Sequence, residues 1–391
     1  MSHTLIDNIG LLVTNDSSFD GSPLGLIENA AIVIEGDTIK WVGRSGEFSR
    51  GDVDGSVDAL GRCIIPGFVD SHTHMIFAGD RGPEFRARMQ GESYTAGGIQ
   101  QTIDLTRAAS NDDLLSNARR LFSEAMASGT TTIECKSGYG LTVDDEVRSL
   151  FLARQLSEET TFLGAHVIPK EFINSPEDYV DLVCGEMLEA AQPHARWIDV
   201  FCDRGAFSVD QARRILTAGI SKGLLPRLHA NQLEHGGGVQ LGVELAAASV
   251  DHVSHLSDAD VASLSNSTTV ATLLPGAEFS TRSTYPDARR LFDAGVTVAL
   301  ASDCNPGSSY TTNMPFVMAL AVREMFFSSE QALWSTTKGG ALALRRLDVG
   351  HLGVGAKADF SILKTDSYIH LTYRPGVQLI DEVWRHGSRI H

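Results

Sequence analysis

The chain has 391 residues, 42% hydrophobic and 21% charged, the balance of a soluble globular protein with one large domain and room for a smaller one. A formal net charge of −17 sets nucleic acid and anionic membrane surfaces aside as partners, because the long-range field repels both. The N-terminus "MSHTLIDNIGLLVTND" carries no basic segment ahead of an apolar one, and no apolar span reaches the roughly 18 residues of a membrane helix, so a cytoplasmic protein without a signal peptide is expected.

Residues 1–62 hold short alternating runs, "IGLLVTN" and "AAIVIEGDTIKWVGR", with Gly-Asp at a turn; they read as antiparallel strands. From Cys63 the rhythm changes. Eight short apolar runs follow: "CIIPGFVD" (63–70), "TTTIECK" (130–136), "TTFLGAHV" (160–167), "WIDVFCD" (197–203), "LPRLHA" (225–230), "SVDHVSH" (249–255), "TVATLLP" (269–275) and "VTVALASD" (296–303). Helical patterns separate them. One spans 111–129, with Asn111 as cap and Gly129 as stop; others lie at 208–223 and 285–295. Eight strands alternating with helices predict a closed parallel (β/α)8 barrel over 63–349. Residues 350–391 return to the style of the N-terminus. Neither end has enough strands alone, so the two are expected to build one small β-sandwich with the barrel inserted between them. The cysteines, Cys63, Cys135, Cys184, Cys202 and Cys304, are scattered and odd in number, which fits a reducing compartment, with Cys304 as small buried filler.

Barrel active sites form at the C-terminal ends of the strands. The first run ends in "PGFVDSHTH". His72 and His74, two residues apart on extended backbone, point to one side and can share a ligand. The second run leads to Lys136 and Tyr139, the third to His166, and the fifth to His229, Asn231 and Gln232. The sixth carries His252 and His255, and the eighth ends in Asp303, with Asn305, Gly307 and Ser308 behind it. Any one of these histidines alone is more often a hydrogen-bonded rim residue than a ligand. Together, His72, His74, His229 and Asp303 form a three-nitrogen, one-oxygen set suited to one divalent ion per chain, zinc or iron. Such an ion brings the pKa of a bound water toward ~7. Asp303 can touch the ion and take the water's proton, while His252 can hold that water or the oxyanion that follows.

With these residues in place the chain resembles the amidohydrolase superfamily, and within it the imidazolonepropionase family. The matching stretches are "PGFVDSHTHMIFAGDR", "GTTTIECKSGYGL", "TFLGAHVIP", "LHANQ", "VDHVSHL", "ATLLPGAEF" and "ASDCNPGSS". "KSGYG" together with "GAHVIP" is the most specific of these. The resemblance implies a metal-dependent hydrolase of histidine degradation that opens the ring of 4-imidazolone-5-propanoate to give N-formimidoyl-L-glutamate. Carried across by motif, His72, His74, His229 and Asp303 are the implied ligands. Arg81 and Tyr94 hold the propionate. Tyr139, His166 and Gln232 contact the ring, His166 also being a candidate for catalysis, and Asn305, Gly307 and Ser308 close the site. A homodimer is implied by the resemblance alone.

The residues agree with this chemistry independently. The guanidinium of Arg81 suits a carboxylate, and Gln232 offers a donor and an acceptor to a ring bearing N–H and C=O. Some relatives have a carboxylate where this chain has Gln232, so the base role passes to Asp303 or His252. The fourth run has no lysine of the kind that bridges two metals, which favours a single ion. Two other readings share the barrel: a deaminase of a purine, pyrimidine or related heterocycle, which would release ammonia, and a scaffold protein that has lost its chemistry.

Overall fold

The computed structural model describes residues 3–48, 53–91 and 98–391. Its first five strands are β1 (His3–Val13), β2 (Leu26–Glu35), β3 (Thr38–Arg44), β4 (Gly55–Asp58) and β5 (Cys63–Pro66). Nine more alternate with helices: β6 (Phe68–Asp70), β7 (Thr130–Lys136), β8 (Glu159–Ala165), β9 (Trp197–Cys202), β10 (Leu225–Pro226), β11 (Leu228–Ala230), β12 (Ser249–His252), β13 (Val270–Leu273) and β14 (Val298–Leu300). The chain ends with β15 (Phe360–Leu363), β16 (Ile380–Arg385) and β17 (Ser388–Arg389).

Both ends of the chain meet in one sheet, ordered β17-β16-β15-β5-β1-β2-β3, with β4 beside β1. The expected antiparallel pairing holds for β1–β2, β2–β3 and β15–β16, whereas β4 and β5 run parallel to β1. Ile6, Ile32, Ile34, Ile362 and Phe360 line one buried face, and the Phe360 ring stacks on Trp384 at 5.4 Å. This alternation of buried apolar positions is what the period of two in the sequence requires.

The second sheet is parallel, ordered β14-β13-β12-β11-β9-β8-β7-β6, with β10 beside β9. Each of the eight apolar runs supplies a strand to it. The first run is divided: Cys63–Pro66 pairs with β15 in the terminal sheet, and Phe68–Asp70 belongs to the parallel one. Gly67 stands at the division, where a Cβ would lie 2.2 Å from Thr131 Oγ1, so only glycine fits that approach. Backbone beyond β6 and β14 brings the ends of the barrel together: Thr73 bridges Cys304, His74 N donates to Cys304 O at 2.9 Å, and Asp303 N donates to His72 O at 3.1 Å.

The chain divides into two compact units: residues 1–71, 123–132 and 313–391 in one, and 72–122 and 133–312 in the other. The second holds every candidate site residue that the structure describes.

The helices begin where capping chemistry allows. Ser208 and Gln211 form a reciprocal capping box at the start of the helix Val209–Ser221. At the helix Asn111–Ala127 the cap is Ser110, whose hydroxyl accepts from Asp113 N at 3.1 Å, in place of the expected Asn111. All five cysteines are free thiols, and Cys304 is fully buried. Among the described residues no helix is long and apolar enough to cross a membrane.

Candidate metal centre and active site

His72 and His74 leave β6 on extended backbone, His229 sits in β11, and Asp303 follows β14. Their side chains converge. His74 Nε2 lies 3.2 Å from His72 Nε2 and 3.4 Å from His229 Nε2. Asp303 Oδ1 is 3.7 Å from His72 Nε2 and 3.6 Å from His74 Nε2. All four residues are buried. Two overlapping clusters of potential ligand atoms result: His72, His74 and Asp303, and His72, His229 and His252.

The far side of two rings decides what these atoms are. His72 Nδ1 faces Asp251 Oδ2 at 2.7 Å, and His229 Nδ1 faces Asp199 Oδ1 at 3.0 Å. Each carboxylate accepts a hydrogen bond from Nδ1–H, which leaves the Nε2 lone pair pointing inward. Burial, reinforced by neighbouring positive charge, pushes the His72 and His74 pKa values well below the usual range, so the rings are neutral. Neutral acceptors facing one another and a carboxylate repel, and a cation among them reverses the sign. The separations also fit, because ligands about 2.0–2.1 Å from a tetrahedral ion stand ~3.4 Å apart.

A layer of buried charge supports the histidines. Lys136 Nζ lies 2.9 Å from Glu134 Oε1 and 2.9 Å from Asp199 Oδ2, and Arg227 Nη2 lies 3.0 Å from Asp251 Oδ2. Glu134 Oε2 accepts from Thr73 N, between the two first histidines, at 2.9 Å. Burial works against the Asp199 anion, but His229 and Lys136 outweigh it and hold its pKa well below the carboxylate range. Burial opposes the Asp251 anion as well, and Arg227 and Lys136 lower its pKa in turn. Glu134, Asp199, Arg227 and Asp251 are absent from the sequence reading. Their signal is a charged residue inside an otherwise apolar strand, as in "WIDVFC" and "SVDH".

Above the centre lies a pocket lined by, among others, Arg81, Tyr139, His166, Gln232, His252, Asn305 and Ser308. Ser308 Oγ donates to Asp303 Oδ2 at 2.7 Å, which turns the other carboxylate oxygen toward the histidines. Asn305 Oδ1 accepts from Tyr139 Oη at 3.0 Å and from Gly307 N at 2.8 Å, tying the "KSGYG" loop to the loop after β14. His166 Nδ1 lies 2.8 Å from Gly138 O, and burial draws its pKa down to about 4. Glu146, fully buried, holds that loop by its backbone: Gly140 N, Leu141 N and Gly138 N donate to its carboxylate at 2.9, 2.8 and 3.1 Å. Asp203 does the same for the rim after β11, accepting from Gln232 N at 2.6 Å and Leu233 N at 2.9 Å. The Gly-rich stretch 236–238 has a packing reason, since a Cβ on Gly238 would come within 2.9 Å of Ala230 Cβ. Tyr94 lies outside the described residues. His255 does not line the pocket; its ring packs on His235 at 5.7 Å.

β12 ends in a left-handed residue, His252 at φ 74°, and another follows it, Val253 at φ 45°. A β-branched residue there is strained, and such strain collects at functional sites. Val253 N donates to Ala230 O at 3.1 Å, His255 N to Asn231 O at 2.9 Å, and Ser254 Oγ to Glu278 Oε1 at 2.6 Å. Burial pushes the Glu278 pKa up to about 7 from 4.5, against the opposing Ser254 bond. The folded chain therefore keeps a proton that the unfolded chain has lost, and stability falls as pH rises from about 4.5 to about 7. Glu278→Gln should remove this slope, gaining up to about 3 kcal/mol relative to wild type between pH ~4.5 and pH ~8. Urea denaturation at both pH values measures it; an unchanged difference would show that Glu278 ionises normally.

The pattern of the amidohydrolase family matches residues 63–388. An imidazolonepropionase of Mycolicibacterium smegmatis is 60% identical over 388 residues, covering 99% of this chain and 98% of that one. Imidazolonepropionases of Salinispora arenicola and Streptomyces griseus are 62% and 58% identical, over 99% and 100% of this chain and 98% and 100% of theirs. Among solved structures, an atrazine chlorohydrolase of Arthrobacter aurescens complexed with zinc superposes with a TM-score of 0.75 at 17% identity, over 99% of this chain and 95% of that one. A guanine deaminase of C. acetobutylicum with bound guanine gives 0.75 at 15%, over the whole of both chains. At such identities these two share the fold and no more. The full-length matches at about three residues in five are of another order, and by them the chain belongs to the amidohydrolase family and, within it, to the imidazolonepropionases.

Proposed function

We propose that the chain hydrolyses 4-imidazolone-5-propanoate to N-formimidoyl-L-glutamate in histidine degradation, at one divalent ion, zinc or iron, held by His72, His74, His229 and Asp303. The observation that carries this reading is the set of inward-facing Nε2 atoms, two of them fixed by carboxylates on Nδ1. When bound, the ion supplies a Lewis acid that polarises the carbonyl and lowers the pKa of water toward ~7.

The chain's own groups do the rest. Asp303 Oδ1 takes the water's proton as the water oxygen bonds to the ring carbonyl carbon. The proton then passes to the ring nitrogen as the C–N bond breaks. Gln232 cannot act as a base, but its amide can both donate to the ring C=O and accept from the ring N–H. His252, which also lines the pocket, orients the water and faces the developing oxyanion. Tyr139, His166, Asn305, Gly307 and Ser308 enclose the ring, and Arg81 takes the propionate, with Tyr94 as its expected second partner. Five free cysteines fit a reducing cytoplasm, where we place the enzyme.

The direct test mixes purified protein with 4-imidazolone-5-propanoate and follows loss of its absorbance together with formation of formimidoylglutamate. Ring opening without ammonia supports the reading. Ammonia release in place of ring opening would point to a deaminase.

A further inference from the structure

Arg81 reaches the pocket already engaged. It caps the helix Gly82–Met89, and one turn into that helix Glu84 meets its guanidinium edge-on. Arg81 Nε donates to Glu84 Oε2 at 2.8 Å, and Nη2 donates to Glu84 Oε1 at 2.7 Å. Two glycines box the pair. A Cβ on Gly98 would lie 1.9 Å from Glu84 Oε2 and 2.4 Å from Arg81 Nη2, and a Cβ on Gly307 would lie 2.3 Å from Arg81 Nη1. The Arg81 side chain is 4% exposed and that of Glu84 26%, so the carboxylate is the more solvated member.

A guanidinium presents its donors along distinct edges, and a carboxylate on one edge fixes where the others point. Glu84 occupies the Nε/Nη2 edge. The Nη1/Nη2 end remains, beside Gly307 on the loop that also carries Asn305 and Ser308. The pair is formally neutral. It therefore attracts a distant anion weakly, and recognition rests on the direction of the remaining N–H bonds.

We propose that Glu84 is a positioning residue for substrate recognition: it locks the Arg81 guanidinium so that its Nη1/Nη2 end is presented to the substrate carboxylate. This rests on the reading that Arg81 takes the propionate. It opposes a second possibility, in which Glu84 is a placeholder that the substrate carboxylate displaces, and the two differ in sign. A lock lowers KM by ordering a long side chain in advance. A placeholder raises KM by competing.

Steady-state kinetics of the metal-loaded protein separate them. Glu84→Ala and Glu84→Gln should raise KM for 4-imidazolone-5-propanoate on the order of ten-fold or more, as expected for loss of hydrogen bonds to a charged group. The value of kcat should stay within about two-fold, because the carboxylate is remote from the bond that breaks. An imidazolone with an uncharged alkyl chain should show no such rise. In an Arg81→Met background, Glu84→Gln should add nothing. Should Glu84→Ala fold poorly, the isosteric Glu84→Gln decides alone. A KM that falls or stays level in the Glu84 variants, while Arg81→Met still raises it, overturns the lock and leaves the propionate reading standing. Equal damage to both substrates makes Glu84 merely structural and overturns the lock as well. If Arg81→Met itself leaves KM for the propionate unchanged, the reading and the inference fall together.

Discussion

Stripped with a chelator, the protein should lose turnover and regain it with one equivalent of zinc or ferrous iron per chain. His72 stands in both clusters of potential ligand atoms; His252 stands in one, as His229 does, and the proposed assignment gives it the water rather than the ion. The two substitutions should therefore part company. His72→Ala removes a shared corner and should lose both the ion and turnover. His252→Ala should keep the ion and lose about 10²- to 10⁴-fold in kcat, the range for a group that handles a proton or charge in the transition state. Elemental analysis beside kinetics reads both. Two equivalents, each needed for activity, would contradict the single-ion assignment, and an emptied site in His252→Ala would make that histidine a ligand.

Arg81→Met should lower kcat/KM for 4-imidazolone-5-propanoate roughly 30-fold to several thousand-fold, since truncating one side of a desolvated charge pair costs about 2–5 kcal/mol and 1.4 kcal/mol is a factor of ten. The protein carries a net charge of −17, so a carboxylate substrate depends on local donors rather than on the overall field. Folding and metal content should survive, because the abandoned Glu84 is a quarter exposed and water can take up its charge. If the propionate is held equally in ground and transition states, the loss falls mainly on KM. Arg81→Lys should recover only part, since a point charge cannot reproduce a fork already committed on one edge. An analogue without the carboxylate should react poorly with wild type and little worse with Arg81→Met. Equal damage to both compounds would assign Arg81 to loop or metal-site integrity.

The strand ends of the barrel are legible in the sequence because each apolar run stops at a polar residue, and closure carries those ends to one rim whatever their separation along the chain. His72, His74, His229 and Asp303 meet for that reason. The division of the first run at Gly67 is not legible: both halves are apolar, and only the approach to Thr131 shows why glycine stands there. Nor is the buried charge layer. Asp199 and Asp251 look like any strand polar residue until another part of the barrel supplies Lys136 or Arg227 across more than 20 residues of intervening chain. Glu84 hides differently. Its spacing from Arg81 is an ordinary surface pair on a helix, and its meaning comes from Gly98, on the next described helix, and from Gly307, far along the chain. The left-handed backbone at Val253 has no sequence signal, since a β-branched residue disfavours it.

The buried charge layer also bears on the charge of the proposed ion. Glu134, Asp199, Asp251 and Asp303 contribute four formal negative charges, and Lys136 and Arg227 return two positive ones. With neutral histidines these six residues sum to a formal charge of −2, which one divalent cation would balance. The unloaded barrel must bear that imbalance where water cannot screen it. The proposed ion would thus also clamp the fold: at free metal 1,000-fold above its Kd the loaded chain should be about 4 kcal/mol more stable than the stripped one. At that same free-metal concentration the increment should be smaller in Asp251→Asn, which removes one of the charges the ion answers and so raises Kd; urea denaturation with and without metal reads it.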